Sequence, residues 1–190
     1  MLPEISLNVL DIAQNSITAE ASRIDLLVEI STATKEMKFQ IRDNGRGMDQ
    51  EQLRAVTDPF YTTRTTRKVG LGVPFLKMGA ECTGGSFSIT SEINKGTSMC
   101  AVYHTDHVDC MPLGNISETI HTLVVFNEPI RFVYRYQVDD HAFTLDTDEF
   151  HEVLGDVSFQ ELEISAYILD YLKENTREIN ETAGIEYGGV

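Results

Sequence analysis

The sequence predicts an α+β protein: a two-layer α/β sandwich, in which helices cover one face of a sheet, followed by a small acidic α-β-β-α appendage. Three observations carry this expectation. Apolar residues alternate with polar ones in RIDLLVEI (23–30) and KFQIRD (38–43), the period of a half-buried strand. They recur every three or four positions in the first 18 residues and again near the end, the period of an amphipathic helix. The charge also divides: residues 1–103 hold 12 acids and 11 Lys or Arg, whereas residues 104–190 hold 18 acids and 4.

The first helix is expected from Pro3 to Thr18, with proline suited to its first turn and Ile5, Val9, Ile12 and Ala13 facing a core. Two strands follow, joined by the polar STATKE. In the second, Asp43 shares the parity of Phe39 and Ile41 and should point to the buried face. MDQEQLRAV reads as a helix, FYTTRTTRKVG as a basic stretch without periodicity, and LGVPFLKMGAEC as a helix entered through glycine. SFSITS and SMCAVYH read as an antiparallel pair turned at EINKGT. Beyond His104, SETIHTLVVFNE predicts a helix, RFVYRYQV and HAFTLDT a hairpin around Asp139-Asp140, and FQELEISAYILDYLKENTREI a long helix. Ser158 and Glu161 form a capping box for that last helix. The expected organisation is a domain over residues 1–106, an appendage over 107–180 and a flexible tail over 181–190.

A chain of 190 residues with 42% hydrophobic content can bury a core. It holds no run near the roughly 18 apolar residues of a membrane helix and no signal-type N-terminus, so a cytoplasmic protein with no membrane contact is expected. Three cysteines, never in C-x-x-C spacing, suggest neither a disulfide framework nor a zinc site. The acidic second half argues against direct nucleic-acid binding and suits a protein partner.

Four features carry chemistry. In LDIAQNSI, Asp11 and Asn15 stand four apart, so on a helix both project from one face, the apolar one. In RDNGRGMD, an acid leaves a strand, and Gly45 and Gly47, with Met48 beside them, allow a turn close to a ligand. A buried carboxylate at Asp43 wants a donor, which an adenine's exocyclic amine supplies and a guanine's carbonyl does not. In KVGLGVPF, Gly70, Leu71 and Gly72 precede a helix whose free N–H groups can bind phosphate. NKGTSM turns into a strand with a hydroxyl at Thr97.

The order and spacing of the four resemble the N, G1, G2 and G3 boxes of the superfamily of gyrase B, ninety-kilodalton heat-shock chaperones, sensor histidine kinases and MutL (GHKL). NSITAEASRID is similar to the mismatch-repair ATPases. DPFYTTRTTRKVGLGVPFLK and GGSFSITSEINKGTSM are similar to the histidine-kinase lid and the strands behind it. The resemblance covers residues 5–103 and implies a Bergerat-type ATP-binding fold. It implies ATP and Mg²⁺ as cofactors, with Asn15 on the metal and Asp43 on adenine, supported by Thr97. Gly45, Gly47 and Met48 would line the nucleotide, Gly70, Leu71 and Gly72 would cradle phosphates, and Arg64, Arg67 and Lys68 would neutralise them. Asp11 stands where the superfamily's ATPases and anti-sigma kinases have the general base, usually a glutamate. Only about ten residues precede the first box, so no phosphoacceptor-histidine domain is expected, and His151 and the other histidines read as structural. The implied function is a protein kinase acting in trans or a slow ATPase with a regulatory role. The alternative is a catalytically weak, ATP-gated binding module. Stand-alone members with acidic extensions, some encoded near redox enzymes, imply a signalling or redox complex as partner, with a homodimer left open.

Overall fold

The alternating segments assemble into one sheet. A computed structural model of the chain describes residues 4–57 and 72–186. The strands are β1 (Arg23–Ser31), β2 (Glu36–Asp43), β3 (Ser86–Glu92), β4 (Gly96–His104), β5 (Arg131–Val138) and β6 (His141–Asp146). They lie in the order β3-β4-β2-β1-β5-β6. Neighbours are antiparallel except β1 and β5, which run parallel with Ile24 opposite Phe132 and Ile30 opposite Val138.

One face of this sheet is apolar because every second residue is. Ile24, Leu26, Val28 and Ile30 of β1, Met37, Phe39 and Ile41 of β2, and Phe132, Tyr134, Tyr136 and Val138 of β5 are all buried. Full burial of each aliphatic side chain contributes about 1.5–3 kcal/mol. The helices are α1 (Ile5–Thr18), α2 (Gln50–Thr57), α3 (Gly72–Cys82), α4 (Ile116–Phe126), α5 (Thr147–Leu154) and α6 (Leu162–Ala183). Across the apolar face α3 packs on β3 and β4, α1 lies between α3 and α4, and α6 lies on β5 and β6. This is the expected two-layer sandwich.

The acidic segment is attached in a way its local pattern does not reveal. Its hairpin extends the sheet, since β5 pairs with β1 along eight residues of each strand. The segment before α4 is tied to the first helix as well, with the Ile5 and Ser6 N–H groups donating to the carbonyls of Pro112 and Leu113 (3.0 and 2.9 Å). Residues 107–186 therefore share the core of residues 4–106. A short helix, α5, follows the hairpin, capped by Asp146, whose carboxylate accepts the Asp148 N–H (3.1 Å).

Two terminal details differ from expectation. The Ser158/Glu161 capping box does not form, because the Ser158 hydroxyl donates to Glu128 (2.8 Å) and α6 begins only at Leu162. A half-buried carboxylate, a stronger acceptor than a helix-start N–H is a donor, competes successfully for that hydroxyl. The helix then runs past Ile179 to Ala183, ending on Gly184 in the left-handed conformation, so residues 181–183 are helical rather than a flexible tail. It is held there by Tyr136, whose hydroxyl donates to the Asn180 side-chain oxygen (2.8 Å).

Because β1 would become a bare edge, a chain ended at Asp106 is expected to aggregate or unfold, as read by size-exclusion chromatography and circular dichroism. A monodisperse folded fragment would contradict the shared core.

Candidate functional site

The site begins with a carboxylate at the end of a strand. Asp43 closes β2 on its inner side, in register with Phe39 and Ile41, and is 6% exposed. A buried charge is tolerated only when hydrogen-bonded. Here Oδ2 accepts the Ser16 hydroxyl (2.6 Å), and Oδ1 accepts the N–H groups of Gly45 (2.9 Å) and Thr97 (3.2 Å). Each carboxylate oxygen has two lone-pair positions, so Oδ1 is filled and Oδ2 keeps one. Asp43 joins α1, the loop after β2 and the start of β4.

Around it is a cleft of about 270 Å³, whose walls include Asn15, Met48, Val73, Ile89 and Met99, with Asp43 and Thr97 among the lining residues. Mostly apolar walls with one buried carboxylate suit a flat, largely apolar ring that carries an amine. A larger cavity of about 680 Å³ lies elsewhere, around Arg131 and His151, and shares none of these residues.

The predicted residues fall into place unevenly. Asn15 and Asp11 do not lie on the most buried stripe of α1. That stripe is Ile5, Ser6, Asn8, Val9, Ile12, Ala13 and Ser16, with Asp11 half-buried beside it and Asn15 exposed at the cleft mouth. The Asn15 amide bonds to no described residue and is open to a ligand. Asp11 is engaged: its Oδ2 accepts the N–H of Gly72, the first residue of α3 (2.8 Å). A side chain at Gly72 would crowd that carboxylate, so the glycine lets Asp11 reach the start of α3.

Gly47 lines the cleft at φ +65°, and a Cβ there would strike the Glu92 carbonyl, so its smallness serves the β3–β4 turn. Gly45 approaches Ala19 instead, where a Cβ would lie 2.8 Å from the Ala19 carbonyl oxygen. Thr97 meets Asp43 through its backbone N–H, while its hydroxyl pairs with Ser91 (2.9 Å). Arg64, Arg67, Lys68, Gly70 and Leu71 lie outside the described residues.

Two residues went unnoticed in the sequence. Ser16, directly after Asn15 and one turn beyond Ile12, is the donor that holds Asp43. Its place on the buried stripe was the available signal. Ser91 accepts the Met48 N–H (2.8 Å) and donates to the Gly96 carbonyl (3.0 Å), bracing the loop after β2 against the β3–β4 turn. Nothing in a serine of an exposed strand signals this.

A sheet layered with helices, and a mostly apolar cleft with one buried, hydrogen-bonded carboxylate in its lining, define a class of two-layer sandwich with a candidate small-molecule site. Comparison narrows the class, because residues 2–106 match the family described as histidine kinase-, DNA gyrase B-, and HSP90-like ATPase. The chain belongs to this family. Sporulation kinase D of Bacillus subtilis (strain 168) is 30% identical over 91 residues, covering 48% of this chain and 18% of that protein. The sensor protein kinase FleS of Pseudomonas aeruginosa is 32% identical over 110 residues, covering 58% of this chain and 27% of that one. The chain thus spans about a quarter or less of the length of these relatives. The solved N terminal domain of a DNA repair protein shares the fold at a TM-score of 0.53 and 16% identity, covering 75% of this chain and 52% of that chain.

If Asp43 reads a base amine, Asp43→Asn should weaken ATP binding at least about tenfold by calorimetry, since the amide NH2 then faces either the two N–H groups of Gly45 and Thr97 or the Ser16 hydroxyl and the base amine, donor against donor. Asp11→Asn should leave affinity within about threefold or raise it, because it removes an anion from the helix start where phosphates would lie. Equal losses would contradict this division of roles.

Proposed function

We propose that the chain binds Mg-ATP in the Asp43 cleft and uses it for phosphoryl transfer, to a protein in trans or slowly to water, as part of a regulatory system. The observation that carries this reading is the lone-pair position left on Oδ2 of Asp43, a residue in the lining of a mostly apolar cleft of ring size. It accepts the exocyclic amine of adenine while Ser16, Gly45 and Thr97 hold the carboxylate in place.

The residues present fit the rest of the nucleotide. Among the described residues no cluster of three carboxylate, thiol or imidazole groups could hold a metal alone. Mg²⁺ needs no such cluster when it is bound by one protein oxygen plus phosphates and water, and the Asn15 side-chain oxygen at the cleft mouth supplies that ligand. When bound, the metal neutralises phosphate charge. The N-terminus of α3 offers the Gly72 N–H to a phosphate oxygen once Asp11 releases it. Transfer then depends mainly on positioning and charge stabilisation.

Asp11 decides how fast this runs. While its carboxylate holds the Gly72 N–H, it is not free to take a proton from a nucleophile. A phosphate oxygen arriving at Gly72 displaces it and leaves a short-armed base beside the terminal phosphate. The same contact supports the second reading, an ATP-gated binding module with weak turnover, in which the exchange at Gly72 is the signal.

Incubation of the pure protein with ATP labelled at the terminal phosphate, with and without extract of its own cells, separates these outcomes. A labelled second protein identifies a kinase and free phosphate an ATPase, whereas retained intact ATP identifies the gated module. Failure to retain or consume ATP at millimolar concentration overturns the proposal.

A further inference from the structure

The first helix buries an amide that has nothing to bind. Asn8 is 0% exposed, and neither its Oδ1 nor its Nδ2 has a hydrogen-bond partner among the described residues. An unpaired buried amide destabilises a fold, since both of its polar atoms give up water and receive nothing in return. A leucine, of similar size and shape, would cost less there. Such a group calls for a reason.

Its place on the helix supplies one. Asn8, Asp11 and Asn15 are spaced i, i+3 and i+7, so they lie along one side of α1. The stripe runs outward from the core: Asn8 is buried, Asp11 half-buried and Asn15 exposed at the cleft mouth. Of the residues three or four positions from Asn8, Ile5 and Ile12 are apolar, and Glu4 is turned against Gly114, where a Cβ would strike its carboxylate. Asp11 remains. Its Oδ2 holds the Gly72 N–H (2.8 Å), and its Oδ1 bonds to no described residue. A carboxylate and an amide three positions apart can share a hydrogen bond across one helical turn.

We propose that Asn8 is the positioning residue for Asp11, a second seat that its carboxylate takes when a phosphate oxygen occupies the Gly72 N–H. This rests on the reading of the cleft as a Mg-ATP site. Asn8 Nδ2 then donates to one carboxylate oxygen. The other is left for the proton of the attacking hydroxyl, whose oxygen bonds to the terminal phosphorus as the bond to ADP breaks. An amide serves both states of such a base: Nδ2 donates to the carboxylate, and Oδ1 accepts from the carboxylic acid formed when the proton arrives.

The Asn8 side-chain NH2 resonances of the isotope-labelled full chain, assigned by their loss in Asn8→Leu, report the contact. Gly72→Ala frees Asp11 without nucleotide, because the three atoms nearest the added methyl all belong to the Asp11 side chain. The Asn8 resonances should move downfield in that variant and should stay in place when Asp11→Ala is added to it. Saturating Mg-ATP on the unmodified chain should move them the same way, together with Asp43 and Asn15. Asn8→Leu should unfold at the same or a higher temperature, since it removes two unsatisfied polar atoms. Asn8 resonances that stay put in Gly72→Ala, or that move equally without the Asp11 carboxylate, overturn the proposal. So does a lower unfolding temperature of Asn8→Leu, which would reveal a partner in the resting state. Shifts at Asp43 and Asn15 with none at Asn8 overturn it and leave the nucleotide reading intact. No shift at Asp43 overturns the nucleotide reading, and Gly72→Ala then decides the Asn8 contact alone.

Discussion

The hydrogen bonds on the Asp43 carboxylate are the constraint on which the half of the sheet around the cleft depends. One oxygen takes the Ser16 hydroxyl from α1, and the other takes backbone N–H groups from the loop after β2 and from β4. Three separate pieces of chain are thereby held around one buried charge. Leaving such a charge without partners would cost several kcal/mol, so the arrangement is rigid for an energetic reason. A binding residue that must discriminate one base edge from another gains most from that rigidity, since a group that can swing aside discriminates poorly. The same bonds fix the last turn of α1 to the end of β2, through the Ser16 hydroxyl on Asp43.

Much of this was legible in the sequence. The alternation in RIDLLVEI and KFQIRD places β1 and β2, and the parity of Asp43 with Phe39 and Ile41 places its carboxylate inside. What escaped were the partners of each group. Parity says that Asp43 is buried but not that Ser16 meets it, because that contact spans 27 residues and two elements. The pairing of β5 with β1 escaped for the same reason. Both strands alternate, and nothing local records that RFVYRYQV lies beside RIDLLVEI across more than a hundred residues. Ser158 shows the converse failure. A local capping motif was present, and a distant carboxylate, Glu128, outcompeted it.

The single sheet gives the two halves a physical relation that the charge division hides. β1 pairs with β2 on one side and with β5 on the other, so the strand that borders the nucleotide half also carries the acidic half. The helices follow suit, with α1 touching α3 at the cleft and α4 on the far side. α1 is thus packed between the cleft and α4, whose last residue, Phe126, lines the larger cavity.

The central claim is that nucleotide enters the smaller, apolar cleft under Asp43 rather than the larger polar cavity. Titration of the isotope-labelled chain with Mg-ATP, followed by amide resonances, tests it most directly. The account predicts shifts centred on the Asn15 side-chain amide, Asp43, Met48, Gly72 and Thr97. Shifts centred instead on Arg131, Asp148 and His151, or none at millimolar nucleotide, would contradict it.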